Sequence, residues 1–393
     1  MSDDLLPRAR SICRTILSEA GERQFRGFDP YDGLNSTYFD KSPFSRSRLC
    51  RLAWTQFNKR LPINLRQICA IQDHANPKGL ALFLSGSLDL QENGVVDEVC
   101  LSLGRDLERA SRSGFSGACW GYPFPWQGRS FYLPKHTPTI VVTAYAANAL
   151  IDLFEASGED RWLELARSAC DFVLGDLNID EGSDGICFSY SPIDTTRVHN
   201  ASLLGAALLA RVGKTTGEQL LLDRGQEAAR FAASHQKADG SWVYGNDDNQ
   251  QWVDHFHTGF VLDTLSVCAD ALDDRELLDR VNRGYRFYRD RMFTEEGAPK
   301  YFPDRRYPLD AHSYAQAILT LLRHGDRTSA HRVAALAIRD LWIPGRNFSY
   351  QQTRWYRNRV PYLRWSQAWM FRSLAALIRN SRTSSQTLSG SVS

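Results

Sequence analysis

Six stretches of this chain carry small and apolar residues on every side, and they recur at a nearly constant spacing. They begin near Pro77, Pro138, His199, His255, Ala311 and Leu363, at intervals of 52 to 61 residues. Val141-Val-Thr-Ala-Tyr-Ala-Ala-Asn-Ala-Leu150 is typical of them. Apolar residues all round a helix predict burial on every side. Between them lie segments of another kind, at 161–174, 219–233, 275–291 and 328–341, where apolar and charged residues alternate at helical spacing. Each of those predicts a helix with one wet face. Buried helices alternating with amphipathic ones at a fixed period describe an all-α protein, an (α/α)6 toroid of two concentric rings. A further helical pattern at 45–60 leaves a seventh hairpin possible. The reading is one toroid domain over 1–379, followed by a Ser/Thr-rich tail at 380–393 that lacks periodicity and is expected to be disordered.

The connections are unequal. A buried helix passes to the next amphipathic one through a few residues, as in Gly213-Lys-Thr-Thr-Gly217 and Ala271-Leu-Asp-Asp274. The return passages, at 21–43, 113–137, 178–198, 236–254, 294–310 and 343–362, run to about 17–25 residues, a length uncommon for loops without a task. In a toroid these long passages share one face. Function is expected there.

Their content supports that expectation. Trp120, Trp126, Trp242, Trp252, Trp355 and Trp365 fall in or beside the long loops, with Tyr31, Tyr122, Tyr190, Tyr244 and Tyr301. Flat faces with polar tips suit sugar rings, whose C–H side stacks while the hydroxyls hydrogen-bond. Packing of loops onto the toroid is the alternative for any one of them. Polar groups open the buried helices: Arg197, His199 and Asn200; Asp254, His255 and His257; Asp310 and His312; Arg364. Asp29 and Asp32 add two carboxylates from the first long loop. Asp29, Asp32, Arg197, His199, Asn200 and Arg364 are the expected saccharide-binding wall, with Tyr31, Trp120, Tyr122, Trp126, Trp242, Tyr244 and Tyr301. The convergent helix N-termini, with Arg197, Arg305 and Arg364, predict that the saccharide is anionic.

Asp254-x-x-His257 and Asp310-x-His312 place carboxylate and imidazole together at adjacent helix starts, as general acid–base work requires. These four are the candidate catalytic residues. Capping explains both aspartates equally well. Hydrolysis would use two carboxylates from Asp32, Asp254 and Asp310; epimerisation or elimination would use a His or Tyr base. Both readings stand at this stage. Asp254, His255, His257 and His312 could assemble a zinc site, but acid–base work is the reading preferred for them, so no metal and no cofactor are expected.

Composition narrows the classes. Hydrophobic residues make up 43% and charged residues 23%, an ordinary globular balance, and a net charge of +2 gives no reason to expect a nucleic-acid partner. No run of about 18 apolar residues predicts a membrane span, and Met1-Ser2-Asp3-Asp4 does not open like a secretion signal. Eight cysteines stand singly, with no C-x-x-C pair. The expectation is a reduced, cytoplasmic protein.

Three resemblances follow from these residues. Phe231-x-x-x-x-Gln236-x-x-Asp239-Gly-Ser-Trp242 resembles the Gln–Trp repeat of terpene cyclases, though it occurs once and without their D-x-D-D motif. Asp254-x-x-His-Thr258 is similar to a zinc-ligand stretch of protein prenyltransferase β subunits, whose Asp-x-Cys is missing here. A longer series resembles the bacterial Vps-type polysaccharide biosynthesis proteins. It comprises Asp29-Pro-Tyr-Asp-Gly-Leu-Asn-Ser36, Asn76-Pro-Lys-Gly-Leu-Ala81, Trp120-Gly-Tyr-Pro-Phe-Pro-Trp-Gln127, Thr137-Pro-Thr139 and Phe188-Ser-Tyr-Ser-Pro192. It continues with His199-Asn-Ala-Ser-Leu-Leu-Gly205, Asp239-Gly-Ser-Trp-Val-Tyr-Gly245, Phe256-His-Thr-Gly259 and Pro308-Leu-Asp-Ala-His-Ser313. That resemblance implies a fold of the six-hairpin glycosidase or terpenoid cyclase type, a place in exopolysaccharide biosynthesis, and partners among its proteins. The functional alternatives are a sugar-active acid–base enzyme, a non-catalytic glycan-binding or scaffold protein of a polysaccharide-assembly complex, and an isoprenoid-active toroid. The last requires a dry apolar cavity, which the polar helix starts oppose.

Overall fold

The two kinds of helix close into two rings. The structure, a computed structural model, describes residues 4–92, 95–128 and 131–390. Its helices are α1 (Leu5–Glu22), the short α2 (Thr37–Asp40), α3 (Arg48–Arg60), α4 (Pro77–Leu90), α5 (Glu98–Ala110), α6 (Ile140–Ser157) and α7 (Asp160–Gly175). They continue as α8 (His199–Thr216), α9 (Gln219–Ser234), α10 (His255–Leu272), α11 (Arg275–Arg291), α12 (Ala311–Arg323), α13 (Arg327–Leu341) and α14 (Trp369–Gly390). Helices α4, α6, α8, α10, α12 and α14 each pack on the next, and α14 returns to α4, so the inner ring is closed. Helices α1, α5, α7, α9, α11 and α13 form the outer ring.

Inner-helix starts lie within two residues of the predicted positions, except at the sixth. There a π-helical turn at Leu363–Ala368 precedes α14. Small residues explain the close packing of the inner ring. In α6, Ala144, Ala146, Ala147 and Ala149 are all buried beside Val142, Leu150 and Ile151. Helix α6 is also long and apolar enough to cross a membrane by composition alone, but it is an inner-ring helix surrounded by the others. The outer helices bury one face. In α11, Leu277, Val281, Gly284 and Tyr288 face inward while nine charged side chains occupy the remainder. Gly284 must be glycine because a Cβ there would stand 2.5 Å from the Trp242 ring.

Turns differ by face as expected. Gly158 ends α6 in the left-handed region, with φ 73°, and α7 begins two residues later. On the opposite face the long loops fold into short antiparallel pairs. Trp126–Gln127 pairs with Tyr132–Leu133, and Ile179–Gly182 with Gly185–Phe188. Gln351–Gln352 lies between Leu309–Asp310 and Arg357–Asn358.

Three expectations change. The first long loop is not 21–43 but the whole of 23–76, because α3 packs against the loop turns at 32–35 and 43–46 and the strand at 126–127. Six hairpins therefore complete the ring, and α3 is an insertion rather than part of a seventh. Within the stretch read as a tail, α14 runs to Gly390; in it Arg382 donates to the Leu90 and Gln91 carbonyls and Ser381 meets His331. Residues 391–393 of that tail lie outside the described residues.

Candidate active site in the toroid cavity

The first turn of every inner helix reaches one cavity. Lys78 comes from α4, Val141 from α6, Asn200 from α8, Asp254, Phe256, His257 and Phe260 from α10 and its cap, His312 from α12, and Arg364 and Trp365 from the π-helical turn before α14. The cavity encloses about 500 Å³. Long loops supply the upper wall: Tyr31, Tyr122, Phe124, Trp126, Phe131, Tyr190, Tyr244, Trp252 and Tyr301, with Lys59 and Gln56 from α3. Aromatic faces, one carboxylate and several cations therefore converge on one concave space.

Asp254 caps α10, its Oδ1 accepting from the His257 backbone N–H at 3.0 Å. Its Oδ2 is 2.7 Å from His257 Nδ1 and accepts from Trp252 Nε1 at 2.9 Å. Burial alone would raise its pKa; the His257 imidazole and these hydrogen bonds outweigh burial and hold the carboxyl below the ordinary range. A carboxylate at that position favours the tautomer with the proton on Nδ1 of His257, which leaves Nε2 as the ring's lone-pair nitrogen on a residue that lines the cavity. Tyr244 stacks on Trp252 with centroids 4.5 Å apart and meets the His257 ring edge at 4.6 Å, which fixes the imidazole from the side.

His312 is held differently. Its ring is sandwiched between Phe256, at 4.6 Å, and Trp369, at 4.3 Å. Neither of its nitrogens has a hydrogen-bond partner among the described residues. Burial first, and then the charges of Lys78 and Arg364, push its pKa well below the ordinary imidazole value, so this ring is neutral. Phe256 and Phe260 touch both His257 and His312, so the two imidazoles flank the same pair of rings.

Several expected site residues lie elsewhere. Asp310 is fully buried behind the wall. It caps α12 through the His312 and Ser313 N–H groups and accepts from Gln351 Nε2 at 2.5 Å and Trp365 Nε1 at 3.2 Å, so every acceptor position is used inside the protein. Asp29 forms a two-point ion pair with Arg364, at 2.6 and 2.9 Å, and Asp32 is bound to the buried Arg66 at 2.8 Å. Those two carboxylates anchor the first loop and do not line the main cavity. Trp120 and Trp242 are core residues whose indole N–H groups donate to the Leu107 and Ala232 carbonyls. His199 is tied to the Val243 carbonyl and Asn246 Oδ1 behind the wall, and burial lowers its pKa to about 4. Arg197 and Arg305 are on the outer surface, paired with Asp180 and Asp304. Arg364 does line the cavity, with its charge matched by Asp29.

Tyr31, Tyr122, Trp126, Asn200, Tyr244, Tyr301, Asp254, His257 and His312 stand where the pattern placed them, on the cavity wall. Lys78 was missed. A single cation two residues into an otherwise apolar helix, Asn76-Pro-Lys-Gly-Leu-Ala-Leu-Phe83, was the available signal. Phe256 and Phe260 were missed because apolar residues on a buried helix read as core. Among the described residues, no three His, Cys, Asp or Glu side chains gather where they could hold a metal ion. His255, one of the four residues that could assemble a zinc site, turns away toward Tyr288.

Solved structures of similar shape share this ring. An unsaturated glucuronyl hydrolase specific for heparin superposes with TM-score 0.64 at 12% identity, covering 98% of each chain. A GH76 α-mannanase of Bacteroides thetaiotaomicron gives 0.60 at 12% identity over 80% of this chain and 89% of its own. A cellobiose 2-epimerase from Bacillus thermoamylovorans gives 0.60 at 9% over 79% and 90%. The fold is the six-hairpin (α/α)6 toroid. No family model matches the sequence, and no curated protein sequence matches it either.

Proposed function

We propose that this protein is a carbohydrate-active acid–base enzyme whose toroid cavity binds an anionic saccharide, with His257 as the base and Asp254 as the group that orients it. The observation that carries this reading is the Asp254–His257 pair, with Nδ1 held at 2.7 Å on a residue that lines an aromatic-walled cavity. Glycoside hydrolysis by two carboxylates needs a partner for Asp254. Asp254 is the one carboxylate among the described lining residues, and both its oxygens are engaged. Imidazole chemistry fits better: His257 removes a proton from a carbon next to a carbonyl or carboxylate, and the neutral His312 donates or accepts a hydrogen bond on the same substrate. Epimerisation and elimination both begin with that step. The carbohydrate enzymes among the structures of similar shape support the substrate class, and the resemblance to Vps-type proteins supports a role in polysaccharide assembly, in the cytoplasm and alongside other proteins of that process.

Proton transfer at carbon leaves a mark that binding does not. Reducing disaccharides and uronides incubated with the protein in deuterium oxide should take up deuterium at one carbon, read by mass spectrometry and NMR. His257→Gln should slow uptake about a hundredfold or more. Tight binding without exchange or cleavage would instead support the glycan-binding or scaffold alternative; cleavage that leaves a carbon–carbon double bond would mark elimination, and cleavage to saturated, unlabelled products would support hydrolysis.

A further inference from the structure

We infer that Lys78 is the seat for the anionic group of the saccharide, a uronic acid carboxylate. The inference rests on the acid–base reading above and names the substrate feature that the cavity recognises. Lys78 is only 3% exposed, yet its side chain borders the cavity. Its ammonium makes no hydrogen bond and no ion pair among the described residues. It lies over the Tyr145 ring at 4.0 Å, with Phe260 at 5.2 Å and Trp369 at 5.3 Å.

A buried ammonium without an anion is costly. Burial and the nearby Arg364 push the Lys78 pKa well below the ordinary lysine value. Arg364 offers no compensation, and its own carboxylate, Asp29, is already spanned by the two-point pair. The aromatic faces steady the cation on one side and leave the cavity side unmet. A ligand carboxylate would supply the missing charge there and favour the protonated ammonium that burial alone disfavours.

The surroundings favour a monoanion with hydroxyl groups beside it. His312 touches the same Phe260 and Trp369 rings as Lys78, and both its nitrogens are unpaired. Asn200 also borders the cavity, and its Oδ1 is buried without a donor. At this end of the cavity, a lysine without a carboxylate partner and a neutral imidazole suit a carboxylate, while the Asn200 oxygen can accept from a sugar hydroxyl; Lys59, the lysine on the loop side, already donates to the Tyr31 hydroxyl. A phosphate dianion would leave a second charge to be met beside Lys78, and the arginine at the cavity floor is committed to Asp29.

The test is calorimetry on the full chain with methyl β-D-glucuronide and the matching methyl β-D-glucoside. The wild type should bind the glucuronide at least tenfold more tightly. Lys78→Met should bind both sugars equally, at the wild-type affinity for the glucoside, and should melt no lower, because a flexible apolar chain of similar length replaces an unpaired charge. Equal affinity of the wild type for the two sugars, no measurable binding of the glucuronide, or a preference retained in Lys78→Met would overturn the assignment. Should Lys78→Met fail to fold, the wild-type comparison alone decides. His257→Gln should keep the full preference. If it does, and no sugar exchanges deuterium with any form of the protein, the acid–base reading fails while the Lys78 seat stands.

Discussion

Helices α10 and α12 are neighbours that begin alike, with an aspartate cap and a histidine within the first turn, yet their carboxylates do opposite things. The difference is one residue of spacing. His257 follows Asp254 by three positions, which on a helix brings the imidazole back over the cap, so carboxylate and ring meet at 2.7 Å. His312 follows Asp310 by two positions and turns to another side, where it enters the stack between Phe256 and Trp369. Asp310, left without its imidazole, is claimed by Gln351 and Trp365. One helix start therefore builds a proton-transfer pair, and the next builds a loop anchor beside a neutral ring. Matching residue types at matching places do not make matching sites.

The largest expected break between them is catalytic. Asp254→Asn keeps the cap, since Asn caps about as well as Asp, but no longer fixes the basic nitrogen of His257. Deuterium exchange into the best sugar should fall about a hundredfold in Asp254→Asn and stay within about threefold of wild type in Asp310→Asn. Equal losses in the two variants would show that Asp310 acts on the substrate after all.

Stability should reverse the order. Asp310→Ala removes a cap, worth about 0.5–2 kcal/mol, and leaves the buried Trp365 donor unpaired at a further cost of about 1–3 kcal/mol. Urea unfolding should therefore show Asp310→Ala to be the less stable by about 1–2 kcal/mol relative to Asp254→Ala, whose partners Trp252 and His257 are partly open and can turn to water. A larger loss in Asp254→Ala would break the contrast between working pair and anchor.

A smaller and sharper test is the charge of His312. Burial and two nearby cations lower its folded pKa well below 6.5. The unfolded chain takes up that proton below about pH 6.5 while the folded chain does not, so the contribution is fully present above pH 6.5 and is lost as the pH falls. His312→Gln should flatten the decline in stability between about pH 6.5 and 5. In the folded wild type, the His312 ring resonances should stay still from pH 8 to 5, and a midpoint near 6.5 would show that the ring is not sealed.

The toroid was legible in the sequence because its determinants are local and repeated. Small residues on every side, amphipathic stretches between them and loops of unequal length are properties of consecutive residues, and they placed α4, α8, α10 and α12 at their starts. Capping was legible for the same reason: Asp254 and Asp310 act on the helix that follows them. Which polar groups face the cavity depended on partners far along the chain. Arg364 takes Asp29 from 335 residues away, and Gln351 takes Asp310 from 41. Those pairings spend side chains that looked available, as Trp120 and Trp242 are spent on carbonyls within the core. Lys78 shows the converse. Its position in an apolar helix gives no direction to its ammonium, and only closure of α4 against the helices around it leaves that charge buried, ringed by aromatic faces and unpaired. A repeat sets where helices lie because each turn hydrogen-bonds within itself and buries a periodic face. The chemistry of the cavity is a tertiary property, because a charge becomes free or bound only when the ring closes around it.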